Sequence, residues 1–444
     1  MATMAPHHSS SFCRVLAIFT LMLIWCCLLV KSEPGSCRAG VTKDLTPNQR
    51  LRQDVFCSYD KDVRPVVQYS KNLTVSVLMM LRFFTFEEVS NVLQLNSWMY
   101  LSWNDSHLTW TPADYGNISQ LDVNTREIWV PDLSIYNSGD MNSDMTFKRT
   151  DCIVDDKGHV QCVPVAKWPV HCTPNLREWP YDLHECSMIL GSWSYTGELL
   201  DFDLLHQGIT LDDFLGNREW ELKNVSAVKE VKTYDCCPNQ TYPLVMYKFI
   251  LKRHASAYLA TVVIPSMIMA LLTLSTFWLD PKAPERLAVC SVSVLCHCLY
   301  LQYLGAKLPS NGDITPLIVL FFRDSLVLTG AALILSVILL RLSLPTSTPS
   351  TTPRNPTWYS KLFDVIQNQR IQLILCLGQL NSKSAVVRGD GATLIDNGKE
   401  SNEEDQGVFG ERAMFLVVID RLAFLIFALT YFVFLIALIP TNQN

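Results

Sequence analysis

The chain has 444 residues, 49% of them hydrophobic and 18% charged, with a net charge of −6 at neutral pH. The acidic balance gives no case for nucleic acid, and the apolar content leans toward the membrane. The length is enough for two or three domains.

The first element is an apolar run, Val15 to Val30, that follows Arg14 and leads into polar, proline-containing sequence. It is short for a bilayer span and reads as a secretory signal, so residues 1–32 are expected to be removed. Residues 33–253 then alternate short strands with turn clusters, the pattern of an all-β, immunoglobulin-like sandwich, after an opening helix near Pro47 to Phe56. One strand is unusually legible. Leu93, Leu95, Ser97, Met99, Leu101 and Trp103 fall on one face, and Gln94, Asn96, Trp98, Tyr100 and Ser102 on the other. Trp98 therefore projects from the polar face, where burial in its own core is not its purpose.

Of fifteen cysteines, eight lie in this region outside the membrane: Cys37, Cys57, Cys152, Cys162, Cys172, Cys186, Cys236 and Cys237. An even count in an exported segment suggests disulfides. Cys152 and Cys162 flank the turn Asp155-Asp156-Lys157-Gly158 and could face each other across a hairpin, leaving Cys37 and Cys57 to pair. Five N-x-S/T sites, at Asn72, Asn104, Asn117, Asn224 and Asn239, fall in the same region and agree with an extracellular location and glycosylation.

Four later runs are long enough to cross a bilayer: Ala257 to Leu279, Leu287 to Ala306, Pro316 to Leu340 and Ala413 to Ile439. Lys282 and Arg286 between the first two, and Arg341 after the third, place those connections in the cytoplasm. Both termini are then extracellular. The domains expected are 254–342 for the first three helices, 343–412 for a largely disordered cytoplasmic loop with a possible helix at Trp358 to Leu377, 413–439 for the fourth helix, and 440–444 outside. Arg323 and Asp324 interrupt the third span about 10 Å along its helix. They face either the bundle interior or the interface as a self-neutralising pair. His297 is read as a packed helix residue, with a proton sensor as the alternative.

Several segments carry chemistry in combination. Cys172 and Cys186 enclose thirteen residues with Trp179, Pro180 and Tyr181 at the tip, an aromatic and prolyl knob suited to pressing on something apolar. Tyr234-Asp235-Cys236-Cys237 leads to Tyr242; a bond between adjacent cysteines strains the intervening peptide and constrains almost no chain entropy, so it is a poor stabiliser. A functional pair is favoured, with bonding to separate partners the alternative. Ile128 to Asn137 brings Tyr136, Gly191 to Gly197 brings Trp193, and Ser97 to Trp103 brings Trp98.

With the four spans, these segments resemble the Cys-loop receptors, pentameric ligand-gated ion channels, and within them the alpha subunits of nicotinic acetylcholine receptors. The resemblance implies a Cys172–Cys186 ring whose closure contributes roughly 3 kcal/mol. It implies a capping loop bearing a Cys236–Cys237 bond. It also implies an aromatic cage of Tyr136, Trp193, Tyr234 and Tyr242, with Trp98 serving the neighbouring subunit. Such a cage suits acetylcholine or a related quaternary amine, since aromatic faces attract a desolvated cation by about 2 kcal/mol. Coupling to the pore is expected through Glu87 and Glu88, Pro180, Arg253, and Leu308 and Pro309 in the linker to Pro316.

The resemblance aims a stripe of the second span, Ala288, Val292, Leu295, Leu299, Gln302 and Ala306, at the channel axis, with Leu295 as a gate that closes by dewetting. Here the chain departs from the family. Ala288 and Val292 replace the usual hydroxyls, Ala306 and Lys307 the outer acidic ring, and Lys282 stands where a further acidic ring is often found. Glu285 alone remains of the cation-selecting charges, beside a Pro284 reminiscent of anion-selective relatives. The reading is a subunit of an acetylcholine-gated cation channel in the plasma membrane, synaptic and heteromeric. The alternative is an auxiliary or chemosensory subunit with altered conduction, selectivity or agonist. An enzyme finds no support, with no HExxH, phosphate loop or Gly-x-Ser-x-Gly, and neither a cofactor nor a metal is expected.

Overall fold

The computed structural model describes residues 45–140, 150–309, 314–343 and 403–438, with side chains of the last stretch from 415 onward. The expected signal segment, Cys37, the Trp358 to Leu377 helix and residues 440–444 lie outside the described residues. The described chain opens with helix α1, Pro47–Phe56. Thr46 starts it by accepting from the Gln49 amide while the Gln49 side chain accepts from the Thr46 amide, so two otherwise unpaired donors are satisfied.

Eleven strands follow: β1 Leu73–Glu87, β2 Val92–Asn104, β3 Gln120–Asn124, β4 Leu133–Ile135, β5 Asp151–Asp155, β6 His159–Cys162, β7 Val165–His171, β8 Leu183–Ser192, β9 Leu200–Thr210, β10 Trp220–Lys232 and β11 Tyr242–Arg253. They form two sheets. One runs β3-β5-β6-β2-β1-β9, with β7 also paired to β2, and the other runs β10-β11-β8-β4. All pairings are antiparallel except β1 with β9. The alternation read along β2 is what faces the sheets together: Leu93, Leu95, Ser97, Met99, Leu101 and Trp103 are all buried, while Trp98 is 37% exposed. The shared core includes Val77, Met79, Phe202, Trp220 and Phe249, each worth roughly 1.5–3 kcal/mol when fully buried.

Two disulfides lie wholly among the described residues. Cys152 and Cys162 are bonded across the β5–β6 hairpin, directly opposite in register. Cys172 and Cys186 are bonded and close the small ring. Cys57 is also disulfide-bonded; its expected partner, Cys37, is outside the described residues.

Among the described residues, four helices are long and apolar enough to cross a membrane: α2 Ser256–Trp278, α3 Pro284–Lys307, α4 Leu317–Ser343 and α5, whose span is Phe415–Ala437. Helix α5 as a whole starts earlier, at Glu403. The segment expected as loop through residue 412 is therefore helical over its last ten residues, 403 to 412.

Arg286, expected in a solvent connection, is instead in the first turn of α3 and is buried. Its guanidinium donates to both oxygens of Asp420 on α5, at 2.8 and 2.7 Å, and to Ser336 Oγ on α4 at 2.9 Å. A charge that reaches a counter-ion and a hydroxyl need not seek water. Asp420→Asn should strand that guanidinium and cost roughly 3–5 kcal/mol, lowering the melting temperature of the solubilised protein. An unchanged melting temperature would show that the pair carries no stability.

His297 is a packed residue. Its ring bonds the Ser293 carbonyl at 2.7 Å and Ser325 Oγ at 2.8 Å, and Ser325 meets the Tyr431 hydroxyl at 2.8 Å, so α3, α4 and α5 share one polar chain. Arg323 and Asp324 take the self-neutralising form, 2.7 Å apart on an exposed face of α4.

Candidate ligand-binding and coupling site

Strand pairing collects the aromatic residues at one end of the smaller sheet. In the antiparallel β4–β8 pair Leu133 is opposite Ser192 and Ile135 opposite Leu190, so Tyr136 and Trp193 lie past opposite ends of the paired segment and their side chains reach toward each other along it. Their rings meet edge to face, 5.8 Å between centroids at 71°. The Tyr136 hydroxyl donates to the Ser192 carbonyl at 2.6 Å. Burial, and then the nearby Tyr234, Asp132 and Tyr242, push the Tyr136 phenol up to about 12, so it stays neutral. Tyr234 and Tyr242 flank the β10–β11 turn and form a second edge-to-face pair, 5.5 Å at 67°.

The two pairs are tied through their backbones. The Gly197 amide donates to the Thr241 carbonyl at 2.7 Å, one residue before Tyr242. A Cβ on Gly197 would lie 2.9 Å from Thr241 Oγ1, so a side chain there would push the segments apart. Asp132 fastens the Trp193 loop from below, accepting from Ser192 Oγ at 2.5 Å and from the Ser194 amide at 2.6 Å. Sequence reading passed over Asp132 and Gly197, although both lie inside the motifs that supplied Tyr136 and Trp193. Trp193 is 72% exposed and Tyr234 38%, which leaves aromatic faces open to a ligand.

Cys236 and Cys237 differ from expectation. They are thiols with sulfurs 2.7 Å apart rather than a disulfide. The Cys237 amide donates to the Tyr234 carbonyl at 2.9 Å, a backbone turn that holds the two cysteines next to the Tyr234–Tyr242 pair. Trp98 lies on the larger sheet, apart from the two pairs. All five sequon asparagines, Asn72, Asn104, Asn117, Asn224 and Asn239, are exposed.

A second cluster sits where β11 enters α2. Arg253 is buried and donates to both oxygens of Asp182 at 2.8 and 3.0 Å, to Glu219 at 3.3 Å, and to Glu88. Its guanidinium lies 4.1 Å over Trp220. Burial pulls its pKa down to about 10, which still leaves it charged at neutral pH. Glu87 does not take part; its carboxylate accepts from Ser90 Oγ at 2.8 Å. Glu87 ends β1 while Glu88 opens the following turn, and only the turn residue reaches inward. Asp182 and Glu219 were missed in sequence, where nothing marks a carboxylate as the partner of a distant arginine. His184 accepts the Asn175 amide on Nδ1 at 3.2 Å, so Nε2 carries the proton that Asp182 accepts at 2.5 Å. Glu88, Asp182 and His184 converge closely enough to hold a metal ion, but Arg253 already supplies the positive charge there.

Trp179 is buried against the helices, its ring 4.8 Å from Tyr258. With Leu176 it joins Val262, Leu304, Leu308, Ile318 and Phe322 in one cluster. The Leu317 amide donates to the Arg177 carbonyl at 3.0 Å. Pro180 follows Trp179 through a cis peptide, and Pro309 follows Leu308 in the linker. The ring thus touches α2, the end of α3 and the start of α4.

On α3, Glu285, Ala288, Val292, Leu295, Leu299, Gln302 and Ala306 are all exposed, while Arg286, Cys290, Ser293, His297 and Leu304 are buried against the other helices. One face of this helix is left without a partner among the described residues.

Sequence comparison agrees with the architecture. Residues 48–255 match the neurotransmitter-gated ion-channel ligand binding domain, and residues 262–372 match the neurotransmitter-gated ion-channel transmembrane region. The chain belongs to the neurotransmitter-gated ion-channel family. It is 30% identical over 336 residues to the acetylcholine receptor subunit alpha-type acr-16 of Caenorhabditis elegans, covering 76% of this chain and 65% of the relative. It is 31% identical over 316 residues to the acetylcholine receptor subunit alpha-1-A of Xenopus laevis, covering 71% of this chain and 68% of the relative. The subunit of Danio rerio named acetylcholine receptor subunit alpha is 30% identical over 322 residues, covering 72% of this chain and 70% of the relative. The chain spans somewhat less than two thirds of the nematode relatives, 65% and 61% of their lengths. Members of this family are channels, not enzymes, and their subunits assemble as pentamers.

Proposed function

We propose that this chain is an alpha-type subunit of a plasma-membrane cation channel opened by acetylcholine or a related quaternary amine bound in the cage of Tyr136, Trp193, Tyr234 and Tyr242. The observation that carries the reading is the pair of edge-to-face ring contacts with open faces, bound to each other through Gly197 and Thr241. Aromatic faces hold an organic cation without burying a counter-charge. The names of the similar subunits from nematode, frog and fish point the same way. In this reading, closure of the capping loop on the ligand moves β10 and β11. Arg253 passes the movement to Asp182 in the ring, and Trp179 presses it onto α2 and the α3–α4 linker.

The exposed stripe of α3 supports a second reading, an auxiliary or chemosensory subunit, because Ala288 and Val292 offer ions no oxygen. Acetylcholine-evoked currents, recorded in cells expressing the full chain with and without candidate partner subunits, test the proposal. A response that requires this chain supports it, and the absence of acetylcholine binding in every combination rejects it.

A further inference from the structure

We infer that the Trp98 face of this chain is occupied by its own Arg82, which bars an organic cation there and leaves the ligand's second wall to be supplied by a different kind of subunit. The inference rests on the proposed reading only in taking Trp98 as the wall offered to a neighbour.

The occupancy is built into the strand. β1 pairs with β2 in steady register until Leu81 meets Ser97, and resumes with Phe83 opposite Asn96, so Arg82 is the extra residue of a β-bulge. Burial follows the same break. Buried positions alternate from Leu73 to Leu81, Arg82 and Phe83 then both face outward, and burial returns at Phe84. A bulge re-aims a side chain that regular pairing would place elsewhere.

The re-aimed side chain is held by the segment between β9 and β10. The Leu215 amide donates to the Arg82 carbonyl at 2.7 Å, fixing the bulge from outside the sheet. Two residues earlier, the exposed Asp213 carboxylate meets Arg82 Nη1 at 2.9 Å. Thus held, the guanidinium carbon sits 4.5 Å from the centroid of the Trp98 ring. One face of the ring thus already has a cation on it. A second cation at that distance would meet both the bulk of the guanidinium and its charge. A neutral or anionic group approaching the same face would not be repelled, and could compete with Asp213 for Arg82.

The test reads the charge at this face without any agonist. Val165 on β7 is directly opposite Trp98 in register and is 50% exposed, so Val165→Cys places a reporter thiol beside the ring. The full-length chain in cell membranes is treated with a cationic or an anionic methanethiosulfonate, and the peptide carrying residue 165 is followed by mass spectrometry. Arg82→Gln should raise the cationic-to-anionic rate ratio about fivefold or more. Arg82→Lys, which keeps the charge and controls for folding, should leave it within about twofold.

Tetramethylammonium should protect the introduced thiol in the Arg82→Gln chain at about fivefold lower concentration than in the chain that keeps Arg82. An unchanged rate ratio in Arg82→Gln overturns the inference, as does protection that sets in at the same concentration in both chains or in neither. None of these measurements depends on acetylcholine, so loss of the acetylcholine reading would leave the result on Arg82 standing.

Discussion

Replacing Trp193 with alanine should weaken acetylcholine binding by about tenfold or more, the loss of one strong cation–aromatic contact, while surface expression stays normal. The two halves of this expectation have separate causes. Trp193 is 72% exposed, so its indole contributes little to the core and its removal leaves no cavity. Its loop is held by Asp132 through the Ser192 hydroxyl and the Ser194 amide, neither of which involves the indole. What the substitution removes is the ring that meets Tyr136 edge to face at 5.8 Å. Radioligand displacement on intact cells measures the first half, and surface labelling the second. Unchanged affinity would remove Trp193 from the cage, whereas lost expression would mean that the loop depends on the indole after all.

A second large effect is expected in the pore. In a homomer, the exposed face of α3 would line the channel with rings of Ala288, Val292, Leu295 and Leu299, leaving Glu285 and Gln302 as the nearest polar groups. The three larger residues, Val292, Leu295 and Leu299, are 59%, 60% and 61% exposed, so the described residues leave them largely uncovered. An ion crossing that stretch loses hydration and finds no replacement oxygen, and the outer end offers Ala306 and Lys307 instead of carboxylates to concentrate cations. The chain alone should therefore pass little or no current. Assembled with a partner that brings hydroxyl and acidic pore residues, it should give a measurable agonist response. In that heteromer, Glu285→Ala should move the reversal potential away from cation selectivity. Large cation-selective currents from the homomer would show that apolar rings matter less than hydration costs suggest.

Much of this was legible in the sequence wherever a local rule decides the outcome. Thr46 and Gln49 mark the start of α1, and strict alternation gave β2 its two faces, Trp98 included. The aromatic residues of the cage lie within compact motifs, so each announced its neighbours. What stayed hidden depends on chain segments far apart. Nothing near Arg253 names Asp182 or Glu219 as its partners, and the choice of Glu88 over Glu87 turns on where β1 ends. Arg286 looked like a cytoplasmic charge because its counter-ion, Asp420, lies more than a hundred residues away, at a sequence separation of 134. The bulge at Arg82 was equally silent, since an extra residue in a strand reveals itself only through what the partner strand does.

That separation between Arg286 and Asp420 also bears on biosynthesis. The chain is made from its N-terminus, so α3 is complete long before α5 exists. Until α5 is made, Arg286 on α3 is without Asp420, the carboxylate that accepts from both of its terminal nitrogens. A nascent subunit stopped short of α5 would hold that group against hydrocarbon or water. The arrival of α5 then joins α3, α4 and α5 through one buried ion pair and the Ser336 hydroxyl, so this polar contact inside the bundle is complete only once Asp420 is in place.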